Sequence, residues 1–131
     1  MTDSPSAPLI LVIDDDWINR QLMENVLKRA GFAVQTVPTG TEGLQFIQQT
    51  PPVIVIVDLR LPDIDGLDLI PLIRDLPLPR RIGIVVMSAM STESVSRDSL
   101  AAGADLFISK VFTIPDLTAR LHGLVEALNA D

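Results

Sequence analysis

Three consecutive carboxylates, Asp14-Asp15-Asp16, follow the first apolar run of the chain, and later runs end at Asp58, at Ser88-Ala89 and beside Lys110. If these residues converge, they make an oxygen-rich site with one hydroxyl and one ammonium. Carboxylates about 5 Å apart repel by roughly 3 kcal/mol per pair at an effective dielectric near 20, so something positive must compensate. Lys110 supplies one charge. Two or three carboxylates with room for water also suit a hard divalent cation such as Mg²⁺. Each residue has a plainer use when taken alone: a strand-terminal Asp forms turns or caps helices, a Ser caps a loop, a Lys is solvated. Asp16, directly ahead of a helical pattern, is read as such a cap. The other positions are singled out because all of them follow apolar runs of one kind.

Those runs cover residues 9–13, 33–37, 53–57, 82–87 and 105–108. The first, third and fourth lack polar alternation, which marks strands buried on both faces. Amphipathic stretches lie between them. Ile18, Leu22, Val26 and Leu27 share a helical face that stops at Ala30-Gly31. Thr39-Gly-Thr-Glu42 has capping-box spacing, with Leu44 and Ile47 directed inward. A third helix, about 66–75, contains Pro71, which removes a backbone hydrogen bond and should kink or shorten it. A fourth begins near Ser91 with a thin apolar stripe and ends at Ala102-Gly103. The last opens at the cap-like Thr113-Ile-Pro-Asp116 and carries Leu117, Leu121, Leu124, Val125 and Leu128 on one face.

Five strands alternating with five helices imply right-handed βαβ units, and hence an α/β, doubly wound parallel sheet with helices on both faces. The expected strand order is the flavodoxin-like 2-1-3-4-5, whose ligand crevice lies at the carboxyl ends of strands one and three. That order gathers Asp14, Asp15 and Asp58 at one rim, with Ser88 and Lys110 beside them.

A length of 131 residues with 47% apolar content supports one core, expected to span residues 9–131 behind a flexible leader at 1–8. A net charge of −7 works against a nucleic-acid surface built on phosphate contacts. No apolar run approaches the roughly 20 residues of a membrane span, no secretory signal is legible, and the absence of cysteine excludes disulfides and thiolate metal sites. A cytoplasmic location is therefore expected. The lone His122, with no second His or Cys to share a metal, is read as an ordinary helix-surface residue.

Leu-Val-Ile-Asp14-Asp15-Asp16, Asp58-Leu-Arg-Leu-Pro62-Asp-Ile-Asp-Gly66, Val-Met-Ser88-Ala89 and Phe107-Ile-Ser-Lys110 together closely resemble the response-regulator receiver family, from Leu9 to about Ala127. The resemblance implies a phosphoacceptor signalling domain of a two-component system rather than an enzyme with a separate substrate. It implies that Asp58 accepts a phosphoryl group from a sensor histidine kinase or histidine phosphotransfer protein. Mg²⁺ would be held by Asp14, Asp15, Asp58 and the main-chain carbonyl of Arg60. Lys110 and Ser88 would contact the phosphoryl oxygens, with the small Ala89 leaving room. Phe107 would turn inward with Ser88 and repack the face of helix four, strand five and helix five. That face would then signal to a downstream effector or fused output domain, or form a homodimer. Arg60 and Met90 fall where the family tunes access of water to the phosphoryl group.

Pro62 and Gly66 fit the family's loop after the phosphoacceptor, with Gly66 expected to permit a positive φ and Pro62 to stiffen the turn. Trp17, beside the acids, is expected to be partly packed. One departure stands out: the family usually has Lys-Pro where this chain has Lys110-Val111. A cis bond before Val costs about 2.5–4 kcal/mol, so a trans bond or a strained loop is expected. Two other readings compete. One is a receiver-like interaction or dimerisation module that no longer cycles phosphate, suggested by Val111 and the thin fourth helix. The other is a Mg²⁺-dependent phosphohydrolase with an Asp nucleophile, against which Arg60 stands where the second Asp of an Asp-x-Asp pair belongs.

Overall fold

A computed structural model describes residues 7–90 and 92–129, so most of the expected leader and Ser91 lie outside the described residues. The elements run β1 (Leu9–Ile13), α1 (Trp17–Arg29), β2 (Ala33–Val37), α2 (Gly40–Gln49), β3 (Ile54–Asp58), α3 (Gly66–Arg74), β4 (Gly83–Ser88), α4 (Glu93–Ala102), β5 (Leu106–Ser109) and α5 (Ile114–Leu128). The strands form one parallel sheet in the order β2-β1-β3-β4-β5. Parallel strands all end at the same edge, which places the residues after β1, β3, β4 and β5 on one rim.

Alternation along the strands divides the core into two layers. Ile10 and Val12 of β1, Ile54 and Ile56 of β3, and Val85 and Met87 of β4 pack with α1 and α5. Leu11, Ile13, Val55, Val57, Ile84 and Val86 face the other way, against α2 and α3. β3 and β4 are buried at every position, as expected of strands covered on both sides. Three strands sit one residue further along than the apolar runs suggested. Asp58 and Ser88 are thus the last residues of β3 and β4, in register with Met87 and Ser109, and inherit the rigidity of the sheet.

The helix starts follow their caps. Thr39 Oγ1 accepts from the Glu42 N–H at 3.1 Å, Asp65 from Leu67 at 2.9 Å, Thr92 from Val95 at 3.3 Å and Thr113 from Asp116 at 3.2 Å. With Pro71 inside it, α3 lasts only nine residues. In α4 only Ser99 is buried, so the thin stripe has its structural counterpart. His122 lies on the surface of α5, where Nε2 is 3.0 Å from the Ala30 carbonyl and the ring stacks on Phe32.

Two expectations need correction. The inward line of α1 is Met23, Val26 and Leu27, whereas Ile18 is 68% and Leu22 48% exposed. Both belong to the first turns of α1, beside the rim where β1 ends, and Leu22 borders the cavity there rather than packing into the core. Gly66 does not have a positive φ; among the described residues only Gly31 and Gly103 do. Its lack of a side chain is required instead by close approach, since a Cβ would stand 2.6 Å from Leu59 Cα and 2.7 Å from the Asp58 carbonyl oxygen.

Gly66→Ala must push the backbone behind Asp58, and overpacking of this kind costs about 1–3 kcal/mol. Gly123→Ala, on α5 with nothing within 4 Å of its Cβ, should instead stabilise by about 0.5–1 kcal/mol. Urea unfolding of the two variants gives shifts of opposite sign.

Candidate functional site

The rim where the winding of the sheet reverses carries the acids. Asp14 follows β1, and its N–H donates to Val37 O at 3.1 Å, tying the turn to the end of β2. Its Oδ1 accepts from the Asp16 N–H at 2.9 Å, and its carbonyl accepts from Arg20 Nη1 at 2.8 Å. Asp16 caps α1 as expected, accepting from the Ile18 N–H at 3.0 Å. With both neighbours engaged in the turn and the helix, Asp15 is left exposed at the rim. Carboxylate oxygens of Asp14, Asp15 and Asp58 all lie within 4.8 Å of one another, close enough to share one cation.

Lys110 stands one residue beyond β5, and its N–H donates to Ser88 O at 3.0 Å, extending the β4–β5 ladder. Its Nζ donates to Asp58 Oδ2 at 2.9 Å and lies 3.3 Å from Asp14 Oδ2. The other Asp58 oxygen accepts from the Arg60 N–H at 3.2 Å. Asp14 and Asp58 are both buried. Burial raises the Asp14 pKa above its ordinary 3.8; the Asp16 N–H opposes this, and the Asp58 charge adds to it. Burial pulls the Lys110 ammonium the other way, but its bonds and charge interactions with Asp58 and Asp14 prevail and hold it above 10.5. One ammonium thus faces three carboxylates, and the site is short of positive charge.

No peptide bond among the described residues is cis, so Lys110-Val111 is trans, and Val111 projects into solvent with 89% exposure. The departure from Lys-Pro therefore leaves Lys110 at hydrogen-bonding distance from Asp58. Ser88 is buried, and its hydroxyl accepts from the Met90 N–H at 3.1 Å. Phe107 is half-buried on β5, against the core layer that faces α3. Arg60 arches across the rim, its Nη2 lying 3.2 Å from Met90 Sδ. Trp17, expected to be partly packed, is 64% exposed. A cavity of about 50 Å³, room for one or two waters, opens between the acids and α1, where Leu22 and Phe112 line it.

Two features were not anticipated. Arg20 holds the Asp14 backbone, and Asp63 of the β3–α3 loop bonds the N-terminus of α2. The signal for Asp63 was slight: a second Asp ahead of a helix already capped by Asp65, with its partners 22 and 23 residues away.

The doubly wound sheet thus places an acid cluster and a lysine together at its switch point. A family model described as the response regulator receiver domain matches residues 10–122, and the chain belongs to that family. It is 39% identical over 120 residues to the transcriptional regulatory protein KdpE of Mycobacterium tuberculosis, covering 90% of this chain and 51% of that protein. It is 35% identical over 123 residues to the transcriptional regulatory protein GltR of Pseudomonas aeruginosa, covering 94% and 51%. The chain therefore spans about half the length of these curated relatives. A CheY-like response regulator receiver domain protein from Methanospirillum hungatei superposes with a TM-score of 0.86 at 26% identity, covering 95% of this chain and 98% of that one. The family is that of two-component signalling domains. No described helix is long and apolar enough to cross a membrane.

The raised Asp14 pKa has a consequence for stability. A group whose pKa rises on folding contributes stability that is fully present below its ordinary value of 3.8 and lost as pH rises through its folded value. Asp14→Asn should therefore melt above the wild type near neutral pH in the presence of a chelator. The difference should close below about pH 3.8, where the wild-type group is protonated in both states. Thermal melts across that range check the sign.

Proposed function

We propose that Asp58 is the phosphoacceptor of this receiver domain, with Mg²⁺ held by Asp14, Asp15, Asp58 and the Arg60 carbonyl. The observation that supports it most is the meeting of three carboxylates with Lys110 Nζ, 2.9 Å from Asp58 Oδ2, at the carboxyl edge of the sheet. The donor set fits the ion: it is all oxygen, carries excess negative charge, and includes an exposed Asp15 that leaves space for water. A bound Mg²⁺ supplies positive charge to the phosphoryl oxygens and relieves their repulsion from the acids.

A carboxylate is a weak nucleophile, so the chain contributes position and charge. An Asp58 oxygen forms the new O–P bond as the P–N bond of a phosphohistidine breaks, the imidazole nitrogen keeping the electron pair. Lys110 exchanges its bond to Asp58 for one to a phosphoryl oxygen, a charge-assisted contact. Ser88 gives up the Met90 N–H and turns its hydroxyl to another, and Phe107 moves into the space released. The α4–β5–α5 face then changes shape. α4 is suited to this because it is anchored by little buried surface, so moving it disrupts few contacts. The donor is a sensor histidine kinase or histidine phosphotransfer protein in the cytoplasm. The receiver of the signal is a downstream effector or fused output domain, with a homodimer through the same face as one form of output. The competing module that does not cycle phosphate rests on Val111 and on the thin α4, and the Lys110–Asp58 bond weakens the first of these motives.

Incubation with acetyl phosphate or phosphoramidate and Mg²⁺ should add the mass of one phosphoryl group to the wild type and none to Asp58→Asn. A chelator should abolish the gain, and Lys110→Ala should slow it on the order of a hundredfold, as loss of one charge-stabilising donor does elsewhere. Intact mass spectrometry reads all four results. A wild type that gains nothing under conditions that modify other receivers would contradict the proposal.

A further inference from the structure

The first turn of a helix leaves backbone N–H groups without intrahelical partners, and α2 satisfies its own unusually fully. Thr39 Oγ1 takes the Glu42 N–H, and Thr39 O takes that of Gly43. The two that precede these, of Gly40 and Thr41, are met from outside the helix. Asp63 Oδ1 accepts from the Gly40 N–H at 2.9 Å, while Oδ2 accepts from the Thr41 N–H at 2.8 Å and from the Thr41 hydroxyl at 2.6 Å. These bonds, the Thr41 hydroxyl foremost, hold the Asp63 carboxyl at about 2, so it is ionised throughout the physiological range. Ile64 packs on the same spot, where a Cβ on Gly40 would meet it at 3.4 Å.

The loop that Asp63 belongs to is the one that turns back from Asp58. At its start, the Arg60 N–H meets Asp58 Oδ1 at a long 3.2 Å. At its end, the Gly66 N–H donates to Leu59 O at 3.0 Å and Asp65 caps α3. Between these, Asp63 makes three short bonds to a different element. An N-cap for α2 already exists in Thr39, so a capping role alone does not require a carboxylate from this loop.

We propose that Asp63 is a positioning residue for the acid site: its grip on Gly40 and Thr41 fixes the β3–α3 loop and so sets where the Arg60 backbone stands beside Asp58. The inference rests on the reading of Arg60 as a main-chain metal ligand. It makes the start of α2 part of the support of the metal site, although α2 contributes no residue to it.

Thr39 and Asp63 both serve the start of α2, but only Asp63 belongs to the loop, and the two can therefore be separated. Calorimetric Mg²⁺ titration of the full chain gives the dissociation constant, and amide exchange in metal-free protein reports the Arg60 N–H. Asp63→Ala should weaken Mg²⁺ binding about tenfold, as loss of an outer supporting group typically does, and should speed Arg60 exchange. Asp63→Asn, which keeps one acceptor oxygen, and Thr41→Val, which removes one bond and no charge, should give smaller shifts in the same direction. Thr39→Ala should lower the melting temperature yet leave both readings unchanged. The proposal is overturned if Asp63→Ala matches the wild type in both, or if Thr39→Ala shifts them equally. A wild type that binds no Mg²⁺ overturns the metal reading instead, and the exchange contrast between Asp63→Ala and Thr39→Ala then decides the positioning on its own.

Discussion

Lys110 Nζ sits 2.9 Å from Asp58 and 3.3 Å from Asp14, a single ammonium bridging carboxylates that would otherwise repel. The rest of the domain can be understood as the means of bringing these groups together and keeping them there. Parallel strands deliver their carboxyl ends to one edge, and the 2-1-3-4-5 order sets β1 beside β3 so that Asp14 and Asp58 become neighbours. Burial on both faces makes β3 and β4 stiff, and Asp58 and Ser88 share that stiffness because they terminate the strands rather than follow them. The β4–β5 ladder continues to the Lys110 N–H, which carries the ammonium to its place.

The same concentration of charge works against stability. Asp14 is held above its ordinary pKa chiefly by burial, so its ionised form is disfavoured until more positive charge arrives. A site left short of positive charge in this way is suited to a divalent cation. The surrounding structure divides into rigid and yielding parts accordingly. Arg20, Asp63 and the close packing at Gly66 brace the backbone on the acid side. On the other side Ser88 makes one hydroxyl contact, Phe107 is half-buried, and α4 has little hold on the core.

What was legible in the amino-acid sequence was mostly local. Unbroken apolar runs announced buried strands, Thr39, Thr113 and Asp16 announced helix starts, and the polar residues ending the runs announced the rim. Boundaries slipped by one residue where polar side chains, Asp58 and Ser88, remain in the ladder. Ile18 and Leu22 share a helical face with Val26 and Leu27, but periodicity identifies a face without saying how much of its length is covered. Gly66 was attributed to φ when the reason was a neighbouring backbone, and Asp63 was missed because its partners are distant in sequence. Val111 raised a doubt about Lys110 that the trans geometry removes, since the ammonium reaches Asp58 without a proline beside it.

If the acid cluster is a deficit of positive charge awaiting a divalent cation, folding must become more favourable as the cation is added. The most direct measurement is urea unfolding across a Mg²⁺ series for the wild type and Asp15→Asn. Asp15 is the exposed member of the cluster, and its loss should least disturb the metal-free fold. The account predicts a wild-type stability that climbs as RT ln(1 + [Mg²⁺]/Kd), about 2.7 kcal/mol at a hundredfold excess over Kd, and a much shallower rise for the variant. A wild-type stability indifferent to Mg²⁺, or an equal rise in Asp15→Asn, would contradict it.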